Sequence, residues 1–243
     1  MYVKRSRGGE MDRPSVPPVR LPIVADLHLQ LGFSAERGLS VRRVEKRTAA
    51  DVVVAHHYLH RPPPISHSFG LFWDHELAGV VTFGTPPSRH LQIGVSPDSP
   101  ESVMELNRLW VSDELPRNSE SWFVSRALHM LPPLLVISYA DTSRGHMGYV
   151  YRALNFHYAG WTDMERAKPR VDYIPASGLH SRDAFRTAGG YVAKVPRAPK
   201  VKYWLPTGDR RERRRLERMC RWPMLDWRSL PPPTEHVQYR LSA

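Results

Sequence analysis

The stretch AHHYLHRPPP holds four side chains able to do chemistry: His56, His57, Tyr58 and His60. Imidazoles ligate metals and carry protons near neutral pH, and a phenol can donate, accept or, once ionised, ligate. On a helix His56 and His60 would share a face at i, i+4, a spacing found in metal sites. No glutamate lies between them and a proline run follows, so solvated or anion-facing histidines are expected there. A second reactive group is Asp141, where the apolar run LLVISYA stops. A carboxylate at a strand end can be a metal ligand, a general base or the N-cap of the next helix, and position alone favours the cap. Tyr151 shares a helical stripe with Met147 and Leu154, which fits a core tyrosine, whereas Tyr149 faces another side. Arg108, within the strand-like ELNRLWV, needs a partner if buried, such as Glu105, Asp141 or a phosphate. Ser125 in SWFVSRAL is off its helix's apolar stripe and lacks a G-x-S-x-G turn, which argues against a hydrolase nucleophile and leaves a surface serine or a hydrogen bond to a cofactor.

The elements that must position these groups follow from periodicity. SVRRVEKRTAADVVVAHHYL reads as a helix with Thr48 as a candidate cap, ended by the prolines of RPPPIS. HSFGLFWDHELAGVVTFGTPP reads as a hairpin turning at DHE. SVMELNRLWVSD is a strand apolar on both faces, hence central. RNSESWFVSRALHMLPP is a helix, capped by Asn118 or Ser119, with Phe123, Val124, Ala127, Leu128 and Leu131 inward. LLVISYAD, GHMGYVYRALNF and FHYAGWT follow as strand, helix and strand, with KVKYWLPTGD as a last strand. The order requires a mixed sheet, mostly antiparallel and then parallel, with helices on both faces, and right-handed crossovers in its second half. Residues 1–22 read as a basic flexible tail, 23–207 as the folded α/β domain, and 208–243 as an arginine-rich helix with a proline-rich end.

The chain has 243 residues, is 41% hydrophobic and carries a formal net charge of +11. That is enough apolar content for a core, and the excess of cations points to a polyanion, with nucleic acid first. Seven arginines against two glutamates in 210–221 concentrate that charge. Cys220 is the only cysteine, so no disulfide framework or intrachain cysteine zinc site exists, and a reducing compartment fits. No apolar run reaches the ~20 residues of a membrane span, and the N-terminus lacks the apolar stretch of a secretory signal.

The hairpin, ELNRLWV, the following helix and the aromatic-glycine-aromatic step NFHYAGW resemble the GNAT acyltransferase superfamily. Three blocks, AHHYLHRPPPISHSFGLFW, ELNRLWVSDELPRNSESWFVSRAL and ISYADTSRGHMGYVYRALNF, resemble more closely the Mom family of phage DNA-modification proteins. That resemblance implies a GNAT-like fold and conversion of adenine N6 in double-stranded DNA to a methylcarbamoyl-type group. The modification protects phage DNA from restriction in the host cytoplasm. It implies acetyl-CoA as acyl source and a bound iron, with His57, Tyr58, Asp141 and Tyr151 at the metal and catalytic positions. Arg108 and Ser125 fall on positions tied to cofactor binding and activity. A His, Tyr, Asp donor set suits iron better than zinc. GNAT enzymes hold the CoA pyrophosphate in a glycine-rich loop at a helix start; the matching SDELPRNSES has no glycine, so Arg117, Asn118 and backbone amides would receive the anion.

A buried adenine must be flipped out of the duplex, with Trp110, Trp122 or Tyr149 as stacking platforms. DNA contacts are expected from Arg144, Tyr149, Lys200, Lys202, Arg211 and Arg214. The expected partners are double-stranded DNA and an acyl-CoA, with a homodimer left open and no membrane. Two rival functions stand beside this one: an ordinary N-acetyltransferase of a protein or small amine, and a non-catalytic DNA-binding protein.

Overall fold

The computed structural model describes residues 38–163, 170–175 and 190–230. The expected tail at 1–22 and the chain end beyond 230 lie outside the described residues.

Alternating apolar residues build the first layer. Leu39 and Val41 point inward from β1 (Leu39–Arg43), which pairs antiparallel with β2 (His67–Trp73). This corrects the expectation of a helix through SVRRV. The period-two pair Leu39/Val41 satisfies an open sheet edge, which an isolated helical turn could not do. The helix α1 (Lys46–His56) therefore starts later, with Glu45 at its N-cap position and no side-chain cap, so Thr48 is interior. β2 returns through Asp74 and His75, at φ +45° and +74°, into β3 (Glu76–Gly84). Two left-handed residues make the tight hairpin turn that matches strand twist.

A short helix, α2 (Arg89–Val95), is capped by Ser88, whose side chain accepts from Leu91 N; its sequence carries no stripe long enough to announce it. β4 (Val103–Val111) then runs antiparallel to β3. α3 (Ser119–His129) buries Phe123, Val124, Ala127 and Leu128 as expected, but Asn118 precedes it at φ +71° with no side-chain cap bond, and Ser119 donates to Pro116 O at 2.6 Å instead. β5 (Leu135–Asp141) runs parallel to β4, and α4 (Tyr149–Ala153) leads into β6 (His157–Trp161). A separate ribbon, β7 (Val171–Pro175) with β8 (Tyr191–Pro196), precedes β9 (Lys200–Pro206) and α5 (Arg210–Met219).

The main sheet has the order β1-β2-β3-β4-β5-β9-β6. β5 and β6 keep the same direction, but β9 enters antiparallel between them, so the second crossover does not join adjacent strands. The reason lies in β9 itself: Val201, Tyr203 and Trp204 are all buried, and a strand apolar on both faces needs neighbours on both edges and layers on both faces. α3 and α4 cover one face, around Phe83, Val136, Ala140 and Tyr203. α1 covers the other face over Val80, and α2 and α5 insert Val95 and Leu216 beside Leu135, Ile137 and Trp204.

One feature of this sheet creates the site. β4 and β5 pair only at Val103–Glu105 with Leu135–Ile137. Beyond these residues β4 stays with β3 and β5 stays with β9, so the two parallel strands part like the arms of a V.

Candidate functional site

A cleft of about 1540 Å³ fills the V, between the end of α1, the outer half of β4, the tip of β5 and the loop before α4. α1 stops at His56 because the prolines at 62–64 cannot continue a helix. His57 leaves helical geometry at ψ 137° while its N–H still donates to Val53 O. His60, at φ +45°, is already outside the helix, so the i, i+4 pairing of His56 and His60 is not realised. The proline segment is tied down by Asn107, whose Nδ2 donates to Pro64 O at 2.8 Å and whose Oδ1 accepts from Thr82 Oγ1 at 2.6 Å. Asn107 is the extra residue of a bulge, since Thr82 pairs with Arg108 and Phe83 with Leu106. Gly84 lets Pro64 approach: a Cβ there would lie 1.9 Å from Pro64 O.

This anchoring delivers Tyr58 to the tip of β5. Its hydroxyl donates to Asp141 Oδ2 at 3.4 Å. Asp141 Oδ1 accepts from Ser143 N at 3.1 Å and Ser143 Oγ at 2.6 Å, capping a 3₁₀ turn at Thr142–Arg144. The carboxylate thus caps with one oxygen and faces the cleft with the other. Lys200 Nζ stands 3.5 Å from Oδ2. Burial opposes the charged form of Asp141, but the Ser143 hydrogen bonds and the Lys200 charge outweigh it and hold the carboxyl below its usual range. Burial, with the Asp141 charge beside it, pushes the Tyr58 phenol up to about 12.

The His57 ring stacks on Tyr58 at 4.3 Å between centroids, and His146 meets Tyr58 edge-on at 5.8 Å. His57 Nδ1 accepts from Leu59 N at 3.2 Å, which leaves Nε2 as the nitrogen free for another partner. Burial first, then the Arg108 charge, pushes His57 down to about 4, so the ring is neutral and able to ligate. Arg144 lies over Tyr58, 5.3 Å from the ring centre.

Tyr151 is buried among Phe156 and Tyr203, with its hydroxyl 2.7 Å from Ser138 Oγ, which also reaches Leu106 O at 2.9 Å. It closes the inner wall of the V, and burial pushes its phenol up to about 12. The loop before α4 is pinned by Tyr203, whose hydroxyl donates to Met147 O at 2.6 Å, with Gly148 at φ +81° directly against the Tyr203 ring.

Arg108 lines the cleft and forms no ion pair with Glu105 or Asp141, two of the three partners expected for it. The bulge at Asn107 turns its guanidinium so that Nη1 donates to Asn107 O at 2.6 Å, and Nε is buried without a partner. Glu105, at the vertex where β4 and β5 separate, emerges as a cleft group that sequence reasoning treated only as a partner for Arg108. Burial pushes its carboxyl up to about 7 against the Arg108 and Lys200 charges, and no hydrogen bond holds the charged form. Its signal in the sequence is a carboxylate inside a strand apolar on both faces.

Among the described residues no group of three or more His, Cys, Asp or Glu side chains could hold a metal. A metal in the cleft would therefore need a donor of another type, such as a phenol. His57, Tyr58 and Asp141 bring one nitrogen and two oxygen donors together and fit a hard ion such as iron in type. The Tyr151 hydroxyl is engaged by Ser138.

With this geometry, the family follows from sequence. A family model described as the Mom protein family matches residues 38–218. The chain belongs to that family. A relative from Escherichia phage Mu, described as methylcarbamoylase mom, is 32% identical over 147 residues, which is 57% of this chain. The chain spans 61% of the length of that Mom relative. Two GNAT-family acetyltransferase structures overlay on it: one from Bacillus cereus, 12% identical, covers 70% of this chain and 99% of its own at a TM-score of 0.39. One from Streptococcus pneumoniae, 11% identical, covers 70% and 99% at a TM-score of 0.40.

The remaining candidate positions are dispersed. Arg117 and Asn118 line a smaller hollow of about 350 Å³ at the start of α3, beside Tyr149, which also lines the main cleft and is 71% exposed. Ser125 lines neither hollow; it is half-buried on α3, and its carbonyl lies 2.7 Å from His129 Nδ1. Arg144 and Lys200 lie at the cleft, and Lys202 lies over Trp222 at 5.2 Å. Arg211 and Arg214 are exposed on α5. That helix begins after Pro206, which pairs with Leu135 at the sheet end opposite Asp141. Trp110 stacks on His56 at 4.2 Å in the cleft wall, whereas Trp122, on α3, is partly buried against the core. No described helix is long and apolar enough to cross a membrane.

Proposed function

We propose that this chain modifies the exocyclic N6 amine of adenine in double-stranded DNA to a methylcarbamoyl-type group, with acetyl-CoA as acyl donor, and so shields phage DNA from restriction in the host cytoplasm. The observation that carries the reading is the meeting of Tyr58, His57 and Asp141 in one cleft of a Mom family member.

The parted strands support the donor half. β4 beyond Glu105 turns an unpaired backbone edge toward the cleft, which an extended amide chain such as pantetheine can extend as a strand. The hollow at Arg117 and Asn118 is the expected seat for the pyrophosphate, and the unpartnered Arg108 Nε donates to a carbonyl or phosphate oxygen. Ser125, away from both hollows, supports α3 in this reading and does not touch the cofactor.

For the acceptor half, adenine leaves the stack and enters the cleft at a cost of a few kcal/mol, recovered by stacking. Exposed Tyr149 and the His56–Trp110 stack in the cleft wall offer faces for it. Arg144, Lys200 and Lys202 meet the flanking phosphates, and the α5 arginines Arg211 and Arg214 add charge at a distance. Ionised Asp141 orients Tyr58 and accepts a proton from the amine as its nitrogen bonds the acyl carbon, while the thioester C–S bond breaks and the thiolate leaves as CoA.

A methylcarbamoyl group has a nitrogen between carbonyl and methyl that an acetyl group lacks, and proton transfer cannot insert an atom. A redox-active iron held by His57, Tyr58 and Asp141 would supply that chemistry. The test is nucleoside mass spectrometry of plasmid DNA from cells expressing the chain. Modified adenine is expected with the wild type and should fall by about 100-fold or more in Asp141→Ala and Tyr58→Phe. Normal product from both variants would remove them from the site, and unmodified adenine with the wild type would end the reading.

A further inference from the structure

We propose that Glu105 reads the flipped base, donating a hydrogen bond to ring nitrogen N1 of adenine, which deepens and rests on the function proposed above. Glu105 lies opposite Ile137 at the last parallel pair before β4 and β5 part, so it stands at the vertex of the cleft that it lines. Side chains alternate faces along a strand. Ile137 packs beside Val103 and Leu135 and therefore shares its sheet face with Tyr139 and Asp141; Glu105, in register with it, shares that face too. Asp141 is four residues beyond Ile137, ~13 Å along the backbone. Both carboxyls line the same cleft, so a base between them has N6 at Asp141 and its ring toward Glu105.

Contacts decide the form in which Glu105 works. Of the carboxyls that line the cleft, Asp113, Glu114 and Glu120 are exposed. Asp141 has Ser143 and Lys200 to hold its charge. Glu105 has no hydrogen bond among the described residues, and the cations that face it are committed elsewhere. Arg108, on β4, turns Nη1 to Asn107 O at 2.6 Å, and Lys200, on β9, stands 3.5 Å from Asp141 Oδ2. Its other titratable neighbours, Tyr139 on β5 and Tyr151 on α4, are phenols that burial keeps neutral. An uncompensated carboxylate is costly in such a place, so the group holds its proton instead. Burial accordingly pushes Glu105 up to about 7. A protonated carboxyl donates, whereas a carboxylate only accepts.

That donor selects the base. A flipped nucleotide is read on its Watson–Crick edge. There adenine offers the N6 amine as donor and N1 as acceptor. Asp141 takes the first and Glu105 supplies the second. Guanine and thymine carry a ring N–H where adenine has N1, so donor would meet donor, and an unmatched buried polar group is penalised. Glutamine, whose neutral amide has the same donor and acceptor as a protonated carboxyl, pairs with adenine in DNA grooves for the same reason. Cytosine shares adenine's pattern, so Glu105 rejects two bases and pocket size is left to reject the third.

The experiment uses the full chain and a duplex with one unpaired adenine, set against the same duplex carrying 1-deazaadenine, which lacks the N1 acceptor. Binding is followed by fluorescence anisotropy, and thermal melting checks that each variant is folded. The wild type should prefer adenine about tenfold at pH 6. The preference should vanish at pH 9, above the Glu105 value of about 7. Glu105→Gln, whose amide donates at every pH, should keep the preference at both, and Glu105→Leu should show none at either. A wild type that binds both duplexes equally at pH 6, or a Leu variant that still prefers adenine, overturns the assignment. Nucleoside mass spectrometry of plasmid DNA gives the second readout, in which Glu105→Gln should still yield modified adenine. A folded Gln variant that binds normally and yields none would make Glu105 a general base and sink the donor role alone. Unmodified adenine with the wild type would sink the underlying function and the Glu105 role with it.

Discussion

Asp141 divides its oxygens: Oδ1 holds the 3₁₀ turn, and Oδ2 faces Tyr58 and Lys200. Cap and reactive group, posed as alternatives by position in the sequence, are therefore compatible in one side chain. Glu105 is the opposite case, a carboxyl that nothing holds charged. Its folded pKa, about 7, lies above the ordinary 4.5. The protonated form is favoured by the fold, so no penalty exists below pH about 4.5 and a penalty grows as pH rises through about 7. Glu105→Gln should melt higher than the wild type at pH 8, by roughly 2–4 °C for each kcal/mol relieved. The gap should close near pH 4.5, the ordinary value for the carboxyl. Equal melting curves at pH 8 would mean that Glu105 has a solvated path or a partner.

At the level of elements, the bulge at Asn107, the proline segment and Gly84 act together to aim Tyr58 at β5. Gly84→Ala would place a Cβ 1.9 Å from Pro64 O, a backbone atom that cannot swing away. The expected outcome is a loss of about 1–3 kcal/mol from forced backbone movement, read by urea unfolding, with activity falling further because Tyr58 moves. A Gly84→Ala protein as stable and active as wild type would show that the proline segment is not the strut. The hairpin, α3 and the β5 run were legible because each satisfies its own hydrophobic period. β1 was not, since SVRRV continues smoothly into a helical pattern and only the open edge of β2 selects the strand. The failed cap at Asn118 has a similar cause: the tight turn into α3 needs φ +71°, and this rotates the side chain away from the helix amides.

For the molecule as a whole, charge is divided between two ends of the sheet, with Arg144 and Lys200 at the cleft and the arginines of α5 starting opposite. α5 is set by a capping box of Asp209 with Glu212 and by Leu216 in the core, so its arginines are held on a fixed outer face. Replacing Arg211 and Arg214 by alanine should lower the salt slope of duplex binding by about two and leave single-turnover modification of bound DNA near wild type. A slope that does not change would assign the basic helix to another partner. The composition and local periods already contained the mixed sheet, the basic character and the short list of reactive residues, because these depend on side-chain type and spacing within one element. The residue blocks carried the family resemblance. The parting of β4 from β5, the entry of β9 between β5 and β6, and the burial of Glu105 and of the unpartnered Arg108 Nε depend on segments far apart in the chain. No local pattern encodes them, since they arise when strands compete for shared edges and buried faces.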